Sequence, residues 1–145
     1  MKSPHILKIG NNVQKIKANL ALVLDEATLD IIEDEIRSNV KSLFALGVSQ
    51  YRFAVRQPAA HWRQCISRLY YGAYNVSRSV RLFKNGDYST DVKDHGKFDQ
   101  LPKDFPSKDR FTNQLSVLRE DRNLSDYDHT ARARDLVIGR GDAMG

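Results

Sequence analysis

The chain has 145 residues, 41% of them hydrophobic, with a net charge of +5 and a single cysteine. That is enough apolar material for one core, and no run approaches the ~18 apolar residues of a membrane span. Cys65 alone excludes an internal disulfide and every metal site built on paired cysteines, and His5, His61, His95 and His129 show no helical metal spacing.

The opening MKSPHILKIGNN lacks the apolar segment of a signal peptide. A cytoplasmic protein is expected, with no membrane contact, no metal and no cofactor. The eight glycines are scattered and form no phosphate-cradling loop. The excess of cations suits contact with a polyanion such as RNA.

Taken in chain order, the apolar residues mark helices. Val13, Ile16, Leu20 and Leu24 recur at three- and four-residue steps and predict a first amphipathic helix; residues 1–25 read as peripheral. Leu29, Ile32, Ile36, Val40 and Leu43 predict a second, capped by Asp25 or Thr28. It is expected to bend near Gly47 and to continue through Tyr51 and Val55, stopping before Pro58.

A third helix is predicted from Ala59 to Phe83. Trp62, Ile66, Leu69, Ala73, Val76, Val80 and Phe83 alternate by four and three, a narrow seam, and Trp62, Leu69, Val76 and Val80 are expected to be buried. Gly86 is placed to end it. A fourth helix follows Pro106, with Ser107 as its cap. Leu136-Val137-Ile138 is the one β-like run. Residues 139–145 read as a disordered tail or as the start of a helix cut short. The whole, residues 1–145, is expected to be one all-α domain, an up-and-down helical bundle of four to five helices.

The fourth helix carries an unusual stripe: Phe111, Leu115, Leu118, then Arg122, Ser125 and His129. Arg122 and His129 are seven residues apart, ~700° of rotation and ~10.5 Å of rise, so on a continuous helix they point nearly the same way. A cation on a core-facing stripe is costly unless it is paired or opens onto a cleft or partner. One reading pairs Arg122 with Asp121, Asp126 or Asp128 and lets His129 merely end the helix. The other makes Arg122 and His129 a site. Elsewhere, His95 reads as a loop anchor and Cys65 as a small buried apolar residue. Tyr70, Tyr71 and Tyr74 read as packing at the core edge or, beside Arg68, Arg78 and Arg81, as a grip on RNA bases and phosphates.

Arg122-Asn123-Leu124-Ser125-Asp126-Tyr127-Asp128-His129 resembles the Arg-to-His signature of the HEPN family. Ser67-Arg68-Leu69-Tyr70-Tyr71-Gly72-Ala73-Tyr74 resembles the family's aromatic and small-residue helix. His95-Gly96-Lys97-Phe98 and the Asp126-Tyr127-Asp128 ending resemble one branch of it. These segments cover roughly residues 40–130.

The resemblance implies a metal-independent endoribonuclease with a composite site in a homodimer, a toxin or defence component. It implies Arg122 and His129 as catalytic residues and Asn123 as the residue that positions the phosphate or orients His129. Asp126 and Tyr127 would support them, Asp126 by capping a turn and Tyr127 by packing back on the third helix. Histidine can exchange a proton near neutral pH, and arginine can hold two phosphate oxygens. The Asp-Tyr-Asp branch also implies the alternative: a non-catalytic HEPN module that binds a nucleotidyltransferase or antitoxin partner, or nucleic acid.

Overall fold

Asn12 opens the first helix, α1 (Val13–Leu20), by accepting the amides of Gln14 and Lys15 at 3.1 Å each. The computed structural model describes residues 6, 7, 10, 12–89 and 91–138. The expected tail at 139–145 lies outside them. α1 is shorter than its apolar spacing suggests: the chain leaves the helix at Ala21, so Leu22 and Val23 are exposed. It is docked at the edge by Val13 N–H on the Gly86 carbonyl (3.0 Å) and by the Lys17–Glu33 ion pair.

α2 (Glu26–Val55) begins at Asp25, whose carboxylate accepts the Thr28 amide at 2.9 Å; Asp25, not Thr28, is the cap. The helix runs through Gly47 uninterrupted. Gly47 serves a close approach instead. A Cβ there would stand 2.7 Å from the Gly72 carbonyl oxygen and 3.1 Å from the Val76 amide nitrogen, both backbone atoms. Gly47→Ala should therefore destabilise the fold by about 1–3 kcal/mol through overpacking. Urea denaturation checks this, and an unchanged midpoint would show that the two helices can separate freely.

A 3₁₀ turn, Ala59–His61, leads into α3 (Trp62–Asn85), which ends at Gly86 in the left-handed region, φ 67°. α4 (Lys108–Tyr127) follows Ser107. Ser107 stands at the cap position but has φ 51°, and its side chain caps nothing.

Pairings across the helices fix their directions. Ser79 donates to the Val40 carbonyl at 2.9 Å near one end of the α2–α3 pair, and Arg68 lies over the Phe53 ring at 5.9 Å near the other. Arg63, in the first turn of α3, donates to the carbonyl of Ser125 near the end of α4. Both neighbours of α3 are thus antiparallel to it, and the protein is an all-α, up-and-down bundle. Among the described residues there is no strand, and no helix is long and apolar enough to cross a membrane.

The core has two clusters. Ala54, Cys65, Ile66, Leu69, Tyr70, Tyr74, Phe98 and Leu118 form the larger; Leu7, Val13, Ile36 and Leu82 form the other. The α3 seam is only partly core. Ile66 and Leu69 are buried, Trp62 is half-buried, and Phe83 is 57% exposed. Val76 and Val80, expected inside, are half-buried and line an apolar groove of about 370 Å³ between α2, α3 and α4. The buried face of α3 is instead rotated toward Tyr70, Tyr74, Ser77 and Arg81, because the segment between α3 and α4 packs there and satisfies the polar groups.

Candidate functional site

α4 carries Arg122 onto the aromatic face of α3. Its guanidinium carbon lies 4.3 Å above the Tyr70 ring, 5.9 Å from Tyr71 and 5.6 Å from Tyr127. Nη1 donates to the Tyr127 hydroxyl at 3.0 Å. Ring faces attract a cation, worth roughly 0.5–2 kcal/mol depending on desolvation, which offsets part of the cost of burying this one.

Among the described residues Arg122 makes no hydrogen bond to a carboxylate, and its ion pair is a long one. Among the described residues the nearest is Asp126, with Oδ2 4.0 Å from Nε, and the buried Nε has no hydrogen-bond partner. Asp121, the adjacent acid, is fully buried but engaged elsewhere: its two oxygens accept the amides of Val137 (2.7 Å) and Ile138 (2.9 Å). The β-like run at 136–138 is thus an irregular segment pinned to α4 by a carboxylate. Arg63 of α3 holds the end of α4 and the turn after it, donating to the carbonyls of Ser125 and Ala131 at 2.7 Å each.

The expected stripe does not reach His129. α4 ends at Tyr127, and Asp128 is extended, with φ −95° and ψ 103°. His129 is exposed, and among the described residues no hydrogen bond, ion pair or ring contact joins it to Arg122. The break has a local cause: Asp128, not Asp126, caps the turn that follows, accepting the amide and hydroxyl of Thr130 at 2.9 and 2.7 Å. Asp126 faces Ser67 (3.5 Å) and Arg122. Tyr127 does not pack back on α3; its side of the helix is open and the residue is 73% exposed. Asn123 is exposed, and among the described residues no hydrogen bond joins its side chain to Arg122 or His129.

The histidine that the fold brings toward Arg122 is His95. Its Nδ1 shares a 2.9 Å hydrogen bond with the Tyr70 hydroxyl, the donor being set by the tautomer. The imidazole stacks on Tyr74 at 4.2 Å and 13°. Burial, then the positive charges of Arg122 and Arg78, hold its pKa below the ordinary imidazole value, against an opposing pull from Asp94. These surroundings favour the neutral ring.

Asp94 anchors this loop. Arg81 grips it with two bonds of 3.0 and 3.1 Å, and the Tyr74 hydroxyl donates to it at 2.7 Å. Burial raises the Asp94 pKa, but Arg81 and Tyr74 outweigh it and leave the group below its usual value. The same contact, after burial, pushes the Tyr74 hydroxyl upward.

Sequence spacing missed His95 because a histidine in a polar loop carries no periodicity. The one available signal was its segment, His95-Gly96-Lys97-Phe98, whose Phe98 is fully buried beside Tyr70 (4.8 Å between ring centres). Compared with known proteins, the chain matches no family model, no curated protein and no solved structure.

Proposed function

We propose that this chain is a metal-independent endoribonuclease of the HEPN kind, acting at Arg122. The observation that carries the reading is a buried guanidinium on tyrosine rings whose carboxylate neighbour, Asp126, stands off at 4.0 Å. Such a group is an anion site, and a phosphodiester fits its planar fork. Cleavage by the neighbouring 2′-hydroxyl needs a base on that oxygen and an acid on the departing 5′-oxygen. His95, in its neutral form and sharing Tyr70 with Arg122, takes the first proton. When Nδ1–H donates to the Tyr70 oxygen, Nε2 is free to accept it. His129, exposed past the end of α4, supplies the second from another copy across a two-fold axis, which keeps the composite homodimer site.

The chemistry leaves 2′,3′-cyclic phosphate and 5′-hydroxyl ends and is indifferent to chelator. RNA incubated with the protein in EDTA tests it: chain cleavage with those ends supports the reading, and intact RNA rejects it. A second reading rests on a different observation. The open apolar groove lined by Val76, Val80, Phe105, Phe111 and Leu115 suits a non-catalytic module that binds a nucleotidyltransferase or antitoxin partner.

A further inference from the structure

Between Ile36 and Gly86 the sequence contains no Asp or Glu, while Lys and Arg recur throughout. This stretch builds the later part of α2 and all of α3; the acids of α2 lie in its first turns, Glu26 to Glu35. Of its cations, Arg37, Arg78, Arg81 and Lys84 are paired with acids outside the stretch. Rings are interleaved with others. Arg68 of α3 lies over Phe53 of α2 at 5.9 Å, and both are exposed, Phe53 by 50%. Tyr71 stands three residues beyond Arg68 on the same face of α3. Arg122 of α4 then lies 5.9 Å from Tyr71 and 5.6 Å from Tyr127. Phe53, Arg68, Tyr71, Arg122 and Tyr127 thus alternate ring and guanidinium across three helices. Arg52 and Arg56, both exposed at the end of α2, add charge beside Phe53.

We infer that this alternating track is a binding surface for single-stranded nucleic acid, leading a strand to Arg122. It rests on the reading of Arg122 as a phosphate ligand, and it adds a partner surface that the Arg-to-His segment does not contain. Guanidiniums take the phosphates, and exposed rings stack unpaired bases. Neither contact reads a 2′-hydroxyl, so single-stranded DNA binds as RNA does. A duplex keeps its bases stacked inside and loses the ring contacts. An acidic protein segment would use the cations and leave the rings idle.

The test uses the intact protein in EDTA with a short labelled oligothymidylate, which lacks the 2′-hydroxyl and survives the proposed chemistry. Phe53→Ala should weaken binding about 5- to 100-fold, the effect of losing one stacked base. Arg68→Gln should weaken it and lower the slope of log affinity against log salt by ~0.7. Both side chains are exposed, so the variants should keep the wild-type circular dichroism. Binding that ignores both substitutions overturns the inference. So does a DNA duplex that binds as tightly as the single strand, or polyglutamate that competes equally. Binding without RNA cleavage keeps this surface and rejects the ribonuclease; cleavage with binding indifferent to both substitutions does the reverse.

Discussion

Arg122→Ala should lower the rate of RNA cleavage about 10²–10³-fold, the usual loss when a group that stabilises transition-state charge is removed. The guanidinium lies 4.3 Å above Tyr70, whose hydroxyl shares a hydrogen bond with His95, so its charge falls beside the proposed base. The loss should fall on kcat more than on KM, because the track across α2 and α3 still binds the strand. Arg122→Lys keeps the charge but not the planar fork, and should recover only part of the rate. Removing the side chain leaves no buried charge unpaired, since Asp126 is partly exposed. The variant should fold, and thermal denaturation would verify that. Full activity in the alanine variant would dismiss Arg122 from the chemistry.

His95→Ala should cost about 10²–10⁴-fold, the range for a lost proton-transfer group. Its pH profile separates this role from a structural one. Burial and the charges of Arg122 and Arg78 keep the pKa of His95 low. Its neutral, proton-accepting form therefore persists above that pKa, and wild-type activity should fall only as pH drops below about 6.5, the unperturbed imidazole value. Tyr70→Phe removes the hydroxyl that holds Nδ1 and should move that acid limb while leaving the ring beneath Arg122 in place. A loop-packing role for His95 would lower activity equally at all pH values and leave the limb unmoved. His129→Ala provides the companion measurement: loss of rate only in a dimer would place it across the two-fold.

The helices were legible in the sequence because apolar spacing, Asp25, Gly86 and the prolines act locally. What spacing cannot tell is whether an apolar stripe is covered. The α3 seam reads as core at Val76 and Val80, yet in the fold these residues line an open groove. Their helix buries Ser77 and Ser79 instead, because the Phe98 and Val40 carbonyls accept their hydroxyls at 3.0 and 2.9 Å. Partners 21 and 39 residues away leave no periodic trace.

The site was half legible. Arg122 stood out as a cation on an apolar stripe, and the structure puts it on tyrosines that the sequence assigned to the core edge. His129 stood out by the same spacing, and failed it where Asp128 turned the chain toward Thr130. His95 was hidden because a loop, held by Asp94 and Arg81, delivers it from outside the helical pattern.

The most direct measurement is the chemistry of the cut. A labelled RNA carrying one 2′-deoxy substitution at a mapped cleavage site is incubated with the protein in EDTA, and the product ends are identified by mass spectrometry. The expected result is 2′,3′-cyclic phosphate and 5′-hydroxyl ends at every site except the substituted one. Uncut RNA, cleavage through the deoxy position, or 5′-phosphate ends would contradict a metal-free site at Arg122 and His95.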